Sequence, residues 1–131
     1  MIQVEVKYHN ANDTRTRNLP DYFIYTDFVV TGHASDGTIN SIKCCAGVTA
    51  ILYGIRRLVS GVYDTLTINK GEFQYHFFGK DYRAERDTMY AMNTILCQLY
   101  DVYLCYPNLF SKFEMIDTSK GGKNDGEKSN N

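Results

Sequence analysis

The hydrophobic pattern changes its period several times along the chain, and each period predicts one kind of element. Residues 2–8 alternate apolar and polar positions, as a half-buried strand does. The run YFIYTDFVVT over 22–31 is rich in aromatic and β-branched residues and predicts a second strand, antiparallel to the first. Residues 65–68 and 72–77 alternate on either side of a short glycine-containing connection and predict a β-hairpin.

Two longer segments have the three- and four-residue spacing of amphipathic helices. The first runs from about residue 43 to residue 60, and the second from residue 81 to just before Pro107, which cannot continue a helix. A last strand is predicted over 109–116. The order β-β-α-β-β-α-β predicts an α+β fold, a mostly antiparallel sheet with two helices packed on one face. The second helix has an apolar stripe formed by Met89, Met92, Ile95, Leu96, Leu99, Val102 and Tyr103.

Length and composition indicate one globular domain. The chain has 131 residues, of which 44% are apolar and 22% charged. We predict a folded domain over 1–117 and a disordered polar tail over 118–131, a segment with no apolar residue.

Charge and hydropathy exclude several classes of function. The net charge of −1 gives no basic field, so nucleic acid and anionic membranes are not expected as partners. No run reaches the ~18–20 apolar residues that span a bilayer. The N-terminus also lacks the pattern of a secretory signal, which predicts a cytoplasmic protein. The four cysteines are then expected to be free thiols.

The segment from Gly32 to Thr49 contains the residues best suited to catalysis. His33 lies where the second strand ends, and Cys45 is predicted in the first turn of the first helix. The intervening loop, at about 3.3 Å per extended residue, can fold back and bring the two side chains together. A helix N-terminus favours the thiolate, a neighbouring imidazole accepts the thiol proton, and the N–H groups of Cys45 and Ala46 are expected to bind an oxyanion. These features predict acyl-transfer or peptide-cleaving chemistry.

Other interpretations of the cysteines stay open. Cys45 can be a small buried hydrophobe, and only one of Cys44 and Cys45 can face the loop, because adjacent helical residues point about 100° apart. A redox-sensing pair of these two thiols would be sensitive to oxidation without cleaving peptides. A zinc site built from them and His33 lacks the familiar ligand spacings, so no metal or other cofactor is predicted. Cys97 and Cys105 are expected to pack in the core.

The motifs Gly32-His33-Ala34 and Cys45-Ala46-Gly47, twelve positions apart from His33 to Cys45, resemble the signature of the ribosomal-processing cysteine protease family of small bacterial proteins. The order of elements agrees along most of 1–117. The resemblance implies that Cys45 is the nucleophile and His33 the general base, and that Gly32 lets backbone approach the substrate.

The resemblance also implies a function. These proteases remove an N-terminal extension from a ribosomal protein, and similar segments occur in phage capsid or scaffold proteins. The cleaved segment is apolar and contains paired phenylalanines, and the family is dimeric. We therefore expect a homodimeric cysteine endopeptidase with a Cys–His dyad, which acts on a peptide segment of a ribosomal or phage structural protein. The alternative is a catalytically inactive relative that binds a peptide.

One position departs from the family pattern. Members usually have Asp three residues before the catalytic cysteine, and this chain has Ile42 there. Asp36 in the same loop, or Asn40, could orient His33 instead. Thr49 keeps the hydroxyl that the family carries as Ser four residues after the cysteine. A dyad is still expected, because thiols are acidic enough to react with less help.

Overall fold

A computed structural model describes residues 1–10, 23–34, 37–58, 63–69, 71–77 and 82–118. These residues form five strands, two α-helices and one 3₁₀ turn in the predicted order, so the α+β class is confirmed. The strands are β1 (Ile2–Asn10), β2 (Phe23–Thr31), β3 (Tyr63–Asn69), β4 (Glu72–Phe77) and β5 (Phe110–Asp117), and the helices are α1 (Ile39–Leu58) and α2 (Tyr82–Cys105).

The strands form one sheet in the order β3-β4-β2-β1-β5. β1 pairs antiparallel with β2, and β3 with β4, as predicted, while β5 joins the edge parallel to β1. Lys7 pairs with Asp27 and Tyr8 with Tyr25, which leaves Thr26 as an extra residue in β2. This bulge changes the alternation of β2, so that Tyr25 is buried although it lies an odd number of residues before Phe28 and Val30.

A single core lies between one face of the sheet and the two helices. β1, β2 and β4 supply its strand residues, among them Val4, Phe28 and Tyr75, which are fully buried. The predicted stripe of α2 is confirmed, since Met89, Met92, Ile95, Leu96 and Leu99 are all buried. The opposite face of the sheet is polar, and it carries ion pairs such as His76–Asp27 at 3.0 Å and Lys112–Glu5 at 2.7 Å.

Helix α1 begins at Ile39, four residues before the predicted start. The Ser41 N–H donates to Thr38 Oγ1 at 3.2 Å, so Thr38 caps the helix. The apolar pattern missed this first turn because Ile39 and Ile42 are 66% and 65% exposed and lie away from the buried stripe. Cys45 is therefore in the second turn of α1, and the prediction that placed it in the first turn was wrong.

Several predictions lie outside the described residues. They concern most of the loop predicted over 9–21, Tyr22 at the start of the second predicted strand, Asp36, the last two residues predicted for the first helix, 59–60, and the tail from 119 to 131. Within the described part of the chain, neither helix is long and apolar enough to cross a membrane.

Candidate active site

Cys45 and His33 line the same cleft, which has a volume of about 240 Å³. The cleft lies between α1, the end of β2 and the β3–β4 hairpin. Pockets that enclose drug-sized ligands measure ~300–1,000 Å³, so this cleft is better suited to an amino-acid side chain. Its apolar walls are formed by Ile2, Val30, Val48, Leu52, Ile68 and Phe73.

The geometry of α1 separates the two adjacent cysteines. Cys44 is fully buried in the core, whereas Cys45 is only partly buried and faces the cleft. Burial, and to a smaller extent the charge of the Cys45 thiolate, raises the pKa of the Cys44 thiol to about 11. Cys44 is therefore protonated at neutral pH and out of reach of a substrate. Of these two cysteines, only Cys45 faces the cleft.

Ala34, the residue after His33, lies close to Cys45. The Cys45 thiol donates a hydrogen bond to the Ala34 carbonyl oxygen, at a Sγ–O distance of 3.5 Å. His33 is exposed at the mouth of the cleft. Within the described residues, the thiol of Cys45 is hydrogen-bonded to this carbonyl and not to the imidazole.

Two glycines set the position of His33. Gly32 has a φ of +88° and its N–H donates to the Gly71 carbonyl at 2.9 Å. A Cβ at Gly32 would clash with the Met1 carbonyl oxygen, so the backbone that approaches there is this chain's own, just before β1. Gly71, in the β3–β4 turn, has a φ of +76° and lies under the imidazole.

Comparison of the sequence alone finds no matching family model and no significant match among curated proteins. Comparison of the structure finds the ribosomal processing protease Prp from S. aureus in complex with a substrate peptide. The TM-score is 0.64 and the identity 18%, over 88% of this chain and 99% of that chain. The fold is that of Prp.

A second Prp structure from S. aureus, with a covalently linked product peptide, has a TM-score of 0.62 and 20% identity, over 86% of this chain and 97% of that chain. SMU.848 from Streptococcus mutans has a TM-score of 0.63 and 14% identity, over 89% of this chain and 95% of that chain. The resemblance to the Prp family, stated above from two short motifs, is thus confirmed by the fold.

The cleft includes some of the predicted supporting residues and leaves out others. Thr49 lines the cleft one helical turn after Cys45. Asn40 and Ile42 are exposed in the first turn of α1, and neither lines the cleft. Asp36 lies outside the described residues, so its relation to His33 stays a prediction.

The predicted oxyanion donors do not have free N–H groups. Only the first N–H groups of a helix lack a partner within it, and in α1 the N–H of Ile42 already donates to Thr38 at 3.4 Å. The N–H groups of Cys45 and Ala46 come later and donate to carbonyls four residues earlier. The oxyanion prediction for these two groups was therefore wrong, because it relied on the later helix start.

Three residues of the cleft were missed by sequence reasoning: Asn69, Gly71 and Glu72. They lie in the β3–β4 turn and at the strand ends on either side of it, where the Asn69 amide nitrogen lies 3.4 Å from Glu72 Oε1. The glycine-containing turn was visible in the sequence. Its position beside His33 was not, because it depends on the pairing of β4 with β2.

The other cysteines are remote from this chemistry. Cys97 and Cys105 are exposed on α2, so the prediction that they pack in the core was wrong, and all four cysteines are free thiols. Among the described residues, no group of three His, Cys, Asp or Glu side chains could hold a metal ion.

Proposed function

We propose that this protein is a cysteine endopeptidase, with Cys45 as the nucleophile and His33 as the general base. The observation that supports the proposal most directly is the shared cleft. It brings a partly buried thiol and an exposed imidazole to one apolar groove, in a fold that is also the fold of the peptide-bound protease Prp.

The proposed reaction has two stages. His33 takes the proton of Cys45, and the thiolate attacks the carbonyl carbon of the scissile peptide bond. The C–N bond then breaks, the imidazolium gives its proton to the leaving amine, and an acyl thioester remains on Cys45. A water molecule, deprotonated by His33, hydrolyses the thioester and restores the thiol. Neutral hydrogen-bond donors for the oxyanion are available in the Thr49 hydroxyl and the Asn69 amide.

The proposed substrate is an apolar peptide segment. The walls of the cleft accept an apolar side chain, and Glu72 is the only carboxylate among its described lining residues. By analogy with Prp, whose name describes ribosomal processing, the segment belongs to an N-terminal extension of a ribosomal protein, or to a related phage capsid or scaffold protein. A cytoplasmic homodimer is part of the same proposal.

Cleavage of a peptide with paired phenylalanines in an apolar segment tests this function. Mass spectrometry of the products should show cleavage by the unchanged protein and by Cys44→Ala, and none by Cys45→Ala. His33→Ala should lose about a hundredfold or more in kcat, the usual contribution of a general base. Cleavage by Cys45→Ala would contradict the assignment of the nucleophile.

A peptide-binding module without catalysis is the second candidate. The observation that favours it is the hydrogen bond of the Cys45 thiol, which goes to the Ala34 carbonyl. A protease must break this bond when substrate binds, so that the proton can pass to His33. If Cys45 reacts with iodoacetamide no faster than the exposed Cys97, and the peptide binds without being cut, the binding module is the correct function.

A further inference from the structure

Among the described residues, the imidazole of His33 is held by packing and not by a hydrogen bond. His33 follows the end of β2 by two residues and is exposed. Within the described part of the chain, no carboxylate or carbonyl accepts a hydrogen bond from its ring, and the family's usual Asp is replaced by Ile42. In many Cys–His and Ser–His enzymes a third group orients the imidazole by a hydrogen bond. Among the described residues, the contact that can orient the ring is therefore one of packing.

The β3–β4 turn provides that contact. A Cβ placed on Gly71 would lie 2.6 Å from His33 Nε2 and 3.3 Å from both Cδ2 and Cε1. The Nε2 edge of the ring therefore occupies the volume that any other amino acid at position 71 would fill. A Cβ does not approach another heavy atom so closely, so either the imidazole or the turn would have to move.

The turn is tied to the residues that follow the end of β2. The Gly32 N–H donates to the Gly71 carbonyl at 2.9 Å, next to the Thr31–Glu72 pair of the sheet. The hydrogen bond thus joins the residue before His33 to the residue beneath its ring. Cys45, in contrast, is held by α1.

We propose that Gly71 is a positioning residue of the dyad. Because it has no side chain, it leaves the space in which the His33 imidazole lies and faces the cleft. The proposal rests on the cysteine protease function given above and deepens it. The β3–β4 turn takes over, by packing, the orienting role that a carboxylate has in a triad.

The chain offers a matched control for the obvious variant. Gly71 and Gly37 both have positive φ, +76° and +80°, so a side chain at either site meets the same backbone strain. A Cβ at Gly37 meets nothing within 4 Å. Asn tolerates the left-handed region better than Ala does, so Gly71→Asn and Gly37→Asn add the Cβ with little strain.

We expect Gly71→Asn to lower kcat by about a hundredfold, the cost of misplacing a reacting group by about 1 Å, with KM nearly unchanged. Gly37→Asn should keep kcat within about twofold, because its Cβ points to open space. Gly71→Ala and Gly37→Ala should show the same difference in kcat. Equal thermal midpoints for the two Asn variants, and for the two Ala variants, would show that both members of each pair fold. Equal kcat values for Gly71→Asn and Gly37→Asn would overturn the proposal.

A second measurement separates this proposal from the protease function itself. The His33 Hε1 resonance in the NMR spectrum, assigned by its loss in His33→Ala, should shift in Gly71→Asn and stay in place in Gly37→Asn. If the unchanged protein cleaves no peptide but the resonance shifts as stated, Gly71 does position His33 and the protease function is wrong. If the resonance is the same in all three proteins, Gly71 does not position His33.

Discussion

At the scale of single residues, neighbouring positions in one helix have opposite surroundings. Cys44 belongs to the core, and Cys45 opens to the cleft, because α1 turns its side chains about 100° per residue. The two adjacent thiols therefore have different surroundings, one in the core and one in the cleft. The redox-pair interpretation requires both thiols to be accessible, and full burial of Cys44 disfavours it.

Burial of Cys44 makes the free energy of unfolding depend on alkaline pH. Its pKa is 9.0 in ordinary surroundings and about 11 in the folded chain. The Cys44 thiol therefore loses its proton at a higher pH in the folded state than in the unfolded state. Its contribution to the free energy of unfolding is complete below about pH 9 and is lost as the pH rises through 11. We expect the urea midpoint to fall over this window.

Two substitutions at one position control this measurement. Cys44→Ala and Cys44→Val differ in cavity and packing, but neither carries a titrating group. Both should show a flatter pH dependence than the unchanged protein between pH 9 and pH 11, whatever their absolute stability. A slope as steep as that of the unchanged protein would show that the burial of Cys44 is not the cause. Tyr25, whose pKa burial raises to about 12, acts with the same sign at higher pH.

At the scale of elements, the start of α1 depends on Thr38. Its Oγ1 accepts the Ser41 N–H, and its carbonyl accepts the Ser41 hydroxyl at 2.7 Å. We expect Thr38→Ala to lower the free energy of unfolding by about 1 kcal/mol, the usual cost of losing such a cap. Thermal or urea unfolding measures the change.

Thr38→Ser is the control, because it keeps the capping oxygen. It should retain most of the stability lost in Thr38→Ala. Equal losses in the two variants would show that the methyl group of Thr38, and not the hydrogen bond, is what stabilises this turn. The position of Cys45 is set by the same helix, so Thr38→Ala also tests whether cleavage tolerates a weakened first turn.

At the scale of the whole molecule, β5 is the last strand in the part of the chain that the structure describes. β5 pairs in parallel with β1, and the Thr118 hydroxyl donates to the Tyr8 carbonyl at 3.1 Å just beyond it. We expect a chain that ends at residue 118 to keep the thermal midpoint and the cleavage rate of the full chain. Limited proteolysis followed by mass spectrometry should trim the full chain to the same end.

Removal of β5 itself is the contrasting variant. A chain that ends at residue 109 loses the buried Phe110 and the parallel pairing with β1, and it should not fold cooperatively. If the chain ending at 118 were destabilised by several degrees, residues 119–131 would have to contact the domain, against the predicted boundary.

Local patterns predicted much of the fold. Which positions of a segment face the interior follows from the periodicity of that segment alone. This local pattern predicted the alternation in β1, the stripe of α2 and the hairpin turn. The start of α1 was the exception. Ile39 and Ile42 are apolar but exposed, so their positions do not indicate which face of the helix is buried. The capping residue Thr38 was the signal that could have located the first turn.

The sequence by itself determined the order of elements, the fold class and the candidate pair Cys45 and His33, because spacing and periodicity are properties of neighbouring residues. Only the tertiary structure decided that Cys44 is buried, that β5 lies parallel to β1, and that Gly71 lies beneath His33. These features join segments that are far apart in the chain. They follow from how the elements pack, which no single segment encodes.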